Sequence, residues 1–268
     1  MVIDVKSIAA ARKKDIDLKG KRLLIIQVGN HEPSNRYIAG KWKDIQECHG
    51  ICSLLKVTDN IVGCRMVMDY LKQNADSYDG IILQSPAFSQ ESNNAAVLDM
   101  IAAIQDVDGL RQDSAHSPCT PAACINLLEG LEMVGDLAGK NVAVVGKGPM
   151  VGMPLVPMLM KKGATVFALN SKTDDLSKYT KMADIVISAV GKPNLITGDM
   201  CKDGAVVLDV GIAQDENGKM CGDCDKSMYE MDNVWVTPVP GGMGLLTRVE
   251  LLQNLSGVRY RESDLFWI

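Results

Sequence analysis

The sequence predicts an α/β protein of two domains, each built on a parallel sheet, and three observations carry that reading. A length of 268 residues suits two domains of ordinary size, each with chain enough to bury a core. Strand-like apolar runs alternate with helix-length amphipathic segments, the pattern of parallel sheets joined by crossover helices. A loop-like stretch bracketed by prolines, GLRQDSAHSPCTP, then splits the alternation into two series. The domain boundaries expected from this are 1–117 and 118–245.

In chain order, the first series opens with a strand at RLLIIQVG. A helix follows from about Asn35 to Cys48, with Ser34 as its N-cap and Gly50 as its stop. The strand CSLLKV, a helix over Val62–Asn74, the strand GIILQSP and a helix over Ala95–Ile104 complete the series. Beyond the loop, Thr120 is the expected cap of a helix over Pro121–Glu129. The second series has strands at NVAVVG, ATVFALN, DIVISAV, AVVLDVG and VWVTPV, with helices after the first two. Leu246–Leu255 closes the chain as a helix.

Composition excludes several classes. An apolar fraction of 47% and a charged fraction of 23% are ordinary for a globular protein and rule out wholesale disorder. Lys+Arg of 28 against Asp+Glu of 33 gives −5, so no general attraction to nucleic acid or anionic lipid is implied. Aromatic residues, at 4%, are too sparse for base-stacking surfaces. No apolar run reaches the roughly 18–20 residues that span a bilayer. The start, MVIDVKSIAAARKKDID, becomes charged too early for a signal-peptide core, so a cytoplasmic protein is expected.

The eight cysteines are scattered. Cys48, Cys52, Cys64, Cys119, Cys124 and Cys201 lie mostly in apolar or helix-like surroundings, where cysteine behaves as a small hydrophobe. Cys221 and Cys224 form a C-x-x-C, but zinc needs a second pair or histidines, and His31, His49 and His116 are remote in sequence. The pair follows the turn-like DENGKM and does not open a helix, which also weakens a redox reading. No metal is expected.

The sharpest local signal is NVAVVGKGPMVGMP. A strand runs into Gly146-Lys147-Gly148, and Gly152 follows, a G-x-G-x-x-x-G one residue longer than the usual dinucleotide fingerprint. Glycines serve there because backbone N–H groups and a helix N-terminus must approach a pyrophosphate closely. The strand ATVFALN then ends in Asn170-Ser171-Lys172-Thr173, without the acid that would accept from an NAD ribose. Neutral and basic groups suit a ribose phosphate, so NADP is favoured; NAD is not excluded.

In the first series, Tyr37 and Lys41 are four residues apart and share a helix face. On a surface, Lys41 is only a solvated charge; facing a cleft, its amine becomes a proton-transfer group. Gln84 ends the strand GIILQSP, and Asp106 and Asp108 lie in a loop beyond, where open parallel sheets bind ligands. TPVPGGMGLLT packs prolines and glycines into a rigid turn that admits close backbone approach, or serves as a linker into the last helix.

Together these segments resemble the bifunctional methylenetetrahydrofolate dehydrogenase/methenyltetrahydrofolate cyclohydrolase family. The matching pieces are SNRYIAGKWKDIQECHGI, DGIILQSP, IQDVDGL, PCTPAACINLL, GKNVAVVGKGPMVGMP with NSKT, ADIVISAVGKPNLITGDM, GAVVLDVGI and VTPVPGGMGLLT, from about residue 20 to 255. The resemblance implies a catalytic domain and a Rossmann-like NADP domain with a folate cleft between them, and a C-terminal helix, about 246–268, returning to complete the first domain. It implies oxidation of 5,10-methylenetetrahydrofolate followed by hydrolysis to 10-formyltetrahydrofolate. Carried over residue by residue, Lys41 is the catalytic lysine, Tyr37 the stacking tyrosine, Gln84 the supporting glutamine and Asp108 the pterin-holding acid. Cofactor contacts fall on Gly146, Lys147, Gly148, Val151, Gly152, Asn170, Ser171, Ala189, Val190, Gly191, Gly211 and Ile212. Further substrate contacts fall on Pro240, Gly241 and Gly242.

This chain departs from the family pattern at several points. Lys147-Gly148 stands where Arg-Ser is usual, and Asn170-Ser171 where His-Ser is usual. Only eight residues, 110–117, separate Gly109 from Pro118, where the family has a longer loop. A dehydrogenase without the hydrolytic step, a dinucleotide binder with impaired catalysis, and a module built on Cys221 and Cys224 are the alternatives. The family implies a homodimer through the second domain, and the apolar ending Leu265-Phe266-Trp267-Ile268 needs burial.

Overall fold

The computed structural model describes residues 1–257. The chain divides into two compact units. One, the three-strand unit, is Lys13–Cys119 joined by residues 250–257; the other, the five-strand unit, is Met1–Arg12 with Thr120–Val249.

Helix α1 (Val5–Lys14) leads into the three-strand unit, which continues through β1 (Arg22–Val28), α2 (Glu32–Glu47), β2 (Ile51–Val57), α3 (Ile61–Asn74), β3 (Gly80–Gln84) and α4 (Glu91–Leu98). The strands are parallel in the order β2-β1-β3. All of β1 except Arg22 is buried, as a central strand covered on both faces requires. Leu24, Ile26, Val28, Ile81 and Leu83 pack in one cluster with Val67 and Leu71 of α3 and Val97 of α4. By strand alternation Leu23, Ile25, Gln27, Ile82 and Gln84 point to the opposite face. That face ends in polar groups, Gln27 beside Gln84 in register, at the carboxyl ends of the strands.

Helix boundaries differ from the sequence expectation in three places. α2 starts at Glu32 because Pro33 fits the first turn, where its missing N–H costs nothing; His31 is the N-cap and Ser34 is buried inside the helix. Its left-handed exit residue is His49, with φ of 66°. Gly50 serves packing instead, since a Cβ there would stand 2.8 Å from Ile45 Cγ2. α4 spans Glu91–Leu98, not Ala95–Ile104, and the Asn94 side chain ties its first turn to both backbone groups of Phe88. The helix expected over Pro121–Glu129 is α5 (Cys119–Gly130), and its start at Cys119 places Thr120 inside the first turn.

The five-strand unit contains α5 (Cys119–Gly130), β4 (Asn141–Val145), α6 (Gly152–Lys161), β5 (Thr165–Leu169), α7 (Ser177–Thr180), β6 (Ile185–Ser188), β7 (Val206–Asp209), β8 (Ala213–Gln214), β9 (Met220–Cys221), β10 (Trp235–Val236) and the start of α8 (Met243–Ser256). Its main sheet is parallel in the order β10-β7-β6-β4-β5, and β8 and β9 form a small antiparallel pair around the expected DENGKM turn. The winding reverses at β4, which has β5 on one side and β6 on the other. Such a switch point leaves a crevice beyond the strand's carboxyl end, the usual ligand position in open α/β sheets. The chain start joins this unit at the other edge, where Val2 bridges Val236 and Ile3 N donates to Val236 O at 2.9 Å.

The end of α8 returns to the three-strand unit. Asn254 Nδ2 donates to Val107 O at 2.9 Å, and Leu255 packs so near Gly80 that a Cβ there would lie 2.8 Å from its Cδ1. The apolar ending Leu265–Ile268 lies outside the described residues. Among the described residues, no helix is long and apolar enough to cross a membrane.

Candidate active site

In the three-strand unit, helical spacing puts Tyr37 and Lys41 on one face of α2. The Lys41 side chain is 2% exposed, so it is not a solvated surface charge. Its Nζ stands 3.6 Å from Asp108 Oδ2 and 5.1 Å from the centroid of the Tyr37 ring, an ion pair and a cation–π contact on one ammonium. An ammonium so buried needs such compensation. Gln84, 7% exposed, ends β3. Its Nε2 donates to Ser85 O at 2.9 Å, whereas its Oε1 is buried with no hydrogen-bond partner among the described residues. A buried acceptor left open costs stability, and sites that bind polar ligands carry that cost before the ligand arrives.

Asp106 does different work from Asp108. It is 1% exposed, and its Oδ2 accepts from Arg111 N at 2.8 Å. The Arg111 guanidinium also donates to Leu98 O at 2.6 Å, and Ser114 Oγ donates to Asp106 O at 3.1 Å. These bonds pin the short loop after Gly109 onto the segment before it. Gly109 itself has φ of +71°, and a Cβ there would meet Pro118 N at 2.6 Å.

Cys119 is a residue that sequence reasoning grouped with small hydrophobes and that the structure places beside this cluster. Its thiol donates to Val107 O at 3.2 Å and accepts from Asn254 Nδ2 at 3.5 Å. Burial first, and then the Asp108 carboxylate, push the Cys119 thiol up, while Lys41 pulls the other way. Cys52 senses the same lysine; burial raises its thiol to about 12.

In the five-strand unit, the predicted dinucleotide residues lie in the segments that follow β4, β5, β6 and β7. Gly146 has φ of +105°, and a Cβ there would lie 2.5 Å from Ala189 O. A Cβ on Gly152 would lie 1.9 Å from Gly146 O, so the turn closes only with glycine at both positions. Gly148 differs: it is exposed and a Cβ there would meet nothing within 4 Å. Lys147 beside it is exposed, and the N-cap of α6, Val151, offers no side-chain hydrogen bond. Gly191, with φ of +80°, brings the loop after β6 to within 3.2 Å of Ile212 O, measured from where its Cβ would be. Asn170 shapes the turn after β5, its Oδ1 accepting from Lys172 N at 2.9 Å, and leaves Ser171 exposed.

The PVPGG turn belongs to this unit as well. A Cβ on Gly242 would lie 2.1 Å from Pro238 O, and Gly241 has φ of +96°. Val239 N donates to Tyr229 Oη at 3.1 Å, which anchors the turn ahead of Pro240.

Sequence reasoning missed Asp223. Gly222-Asp223 stands in the sequence as the interior of the C-x-x-C, and nothing local there marks the aspartate as a site residue. Asp223 is fully buried, and Asp209, 1% exposed, lies behind it and accepts from Asp223 N and Cys224 N, each at 2.9 Å. All eight cysteines are free thiols. Burial holds the Cys224 thiol up, away from the thiolate that metal binding or exchange requires. Among the described residues, no three His, Cys, Asp or Glu side chains converge as a metal site.

Comparison with known proteins follows the same two-part division. Residues 3–108 match the catalytic-domain model of tetrahydrofolate dehydrogenase/cyclohydrolase, and residues 118–262 match its NAD(P)-binding-domain model. The bifunctional protein FolD of Cupriavidus necator is 37% identical over 262 residues, covering 93% of this chain and 92% of that protein. The crystal structure of the FolD methylenetetrahydrofolate dehydrogenase/cyclohydrolase from Campylobacter jejuni superposes with a TM-score of 0.85 at 32% identity, over 96% of this chain and 97% of that one. The Trypanosoma brucei methylenetetrahydrofolate dehydrogenase-cyclohydrolase, solved with NADP cofactor and inhibitor, gives a TM-score of 0.83 at 27% identity over 95% of each chain.

Proposed function

The chain belongs to the tetrahydrofolate dehydrogenase/cyclohydrolase family, and on that premise we propose how its residues divide the work. The protein oxidises 5,10-methylenetetrahydrofolate to methenyltetrahydrofolate with NADP and hydrolyses the product to 10-formyltetrahydrofolate. The folate chemistry is assigned to the three-strand unit and dinucleotide binding to the five-strand unit.

The observation that carries the assignment is the buried Lys41 ammonium, held between the Asp108 carboxylate and the Tyr37 ring. Ring opening requires a proton to leave the attacking water and another to reach the departing nitrogen. Lys41 is the titratable group that shuttles them. Tyr37 stacks on the flat pterin, and the open Oε1 of Gln84 orients Lys41 or accepts from substrate. Asp108 accepts from the pterin N–H groups. Pro240, Gly241 and Gly242 supply a backbone edge to the substrate.

The glycine turn fits a dinucleotide, because side chains at Gly146 and Gly152 are forbidden by protein backbone, Ala189 O and Gly146 O, whereas the open space at Gly148 lets a pyrophosphate approach. Gly146, Gly148, Val151 and Gly152 cradle the pyrophosphate. Lys147, Asn170 and Ser171 meet the ribose phosphate. Ala189, Val190, Gly191, Gly211 and Ile212 line the rest of the cofactor. When bound, NADP supplies the hydride acceptor; the chain supplies the positioning on which hydride transfer between two flat rings mainly depends.

A spectrophotometric assay of Lys41→Met tests this reading. Hydrolysis of methenyltetrahydrofolate falls by about 100-fold or more, in the range of a lost acid–base group, and NADPH affinity is unchanged. Retention of hydrolysis would remove Lys41 from the mechanism.

We further place the protein in the cytoplasm as a homodimer. Eight free thiols suit a reducing compartment. Among the described residues β5 pairs with β4 alone, and Met153 and Met160 of the adjacent α6 are each 61% exposed. A sedimentation mass of one chain would overturn the dimer.

A further inference from the structure

We propose that Asp223 is a positioning residue for the dinucleotide, acting through the backbone of the loop that follows β6. Its Oδ2 accepts from Ser188 Oγ at 2.6 Å and Val190 N at 2.8 Å. Its Oδ1 accepts from Gly191 N at 2.8 Å and Lys192 N at 2.7 Å. Three consecutive backbone N–H groups thus converge on one fully buried carboxylate. A charged acceptor shared by several N–H donors fixes a loop more firmly than neutral bonds do.

The fit around Asp223 is close. A Cβ on Gly211 would stand 2.1 Å from its Oδ1, and one on Gly222 would stand 2.0 Å from Asp209 Oδ2. Its own carbonyl accepts from Leu195 N at 2.7 Å and Ile196 N at 3.1 Å, which closes the same loop from its far end. The carbonyl of Ala189, just ahead of the clamped amides, is the surface against which Gly146 packs. Asp223 therefore sets the height of the loop on which the glycine turn rests, without itself reaching a ligand.

The inference rests on the reading of Ala189, Val190 and Gly191 as cofactor contacts, and the experiment separates the two. Asp223→Asn keeps the shape but turns an amide NH₂ toward groups that are themselves donors. The concentration of NADPH giving half-saturation is read by fluorescence titration, which reports folded molecules only, and cyclohydrolase turnover is read without dinucleotide. Asp223→Asn is expected to raise half-saturation about tenfold or more, the scale of a lost hydrogen bond to a charged group. Cyclohydrolase turnover stays within about twofold, as for independent sites. Gly152→Ala serves as the control. If it weakens NADPH binding and Asp223→Asn does not, the clamp is overturned while the cofactor reading stands. If neither variant weakens binding, the cofactor reading fails and the clamp falls with it. Should Asp223→Asn not fold, Ser188→Ala decides: a rise of about threefold upholds the clamp and an unchanged value overturns it.

Discussion

Lys41 and Asp108 form an ion pair at 3.6 Å in which the lysine side chain is 2% exposed and the aspartate side chain 15%. Exposed pairs of this kind contribute little, but a partner removed from a buried one leaves an uncompensated charge. The pair also ties α2 to the DVDG loop, the segments that carry Tyr37, Lys41 and Asp108, proposed above to meet the folate.

Asp108→Asn should therefore affect both activities together. The expected outcome is a rise of about tenfold or more in the KM for methylenetetrahydrofolate, the scale of a lost charged hydrogen bond. Hydrolysis falls as well, and half-saturation by NADPH does not move. Steady-state kinetics with each substrate varied in turn check this; an unchanged folate KM would detach Asp108 from the substrate.

Gly148 offers a test of ligand against fold. A Cβ there meets nothing within 4 Å, so Gly148→Ala should leave the unfolding midpoint within the range of a neutral surface change, about ±0.5 kcal/mol. NADPH binding should nonetheless weaken if, as proposed, the pyrophosphate takes that space. Calorimetric unfolding and NADPH titration of the same variant check both halves. Unaltered binding would mean that the space serves no ligand.

The raised thiols give a pH dependence with a definite sign. Burial lifts Cys52 to about 12 and Cys201 to about 11, from an ordinary 9.0. The folded state thus holds these protons more tightly than the unfolded chain does. Their effect on stability is nil below pH 9, and stability declines as pH rises from 9.0 toward 11 and 12. Denaturation midpoints at pH 8, 9.5 and 10.5 should fall for the wild type, and fall less for Cys52→Ala. Parallel declines would show that Cys52 does not contribute.

Much of this was legible in the sequence because it was written in local pattern. The strands at RLLIIQVG and NVAVVG are continuous apolar runs, and Gly146-Lys147-Gly148 follows its strand directly. Tyr37 and Lys41 needed only the helical repeat to share a face, although burial of Lys41 could not be read from spacing. What stayed hidden depends on contacts distant in sequence. Cys119 meets Asn254, and Asp223 draws amides from more than thirty residues upstream. Helix starts shifted where a side-chain cap was expected and a proline in the first turn served instead, as at Pro33.

Neither unit is a continuous stretch of chain. The first twelve residues belong with the five-strand unit, Met1–Ile3 pairing with β10, and the end of α8 hydrogen-bonds to the DVDG loop, so each unit is completed by chain that lies beyond the other in sequence. Recombination that lifted out the glycine-turn half alone would strip a sheet edge from one product and a supporting helix from the other. The two chemistries are therefore inherited as a single block, unable to be shuffled separately.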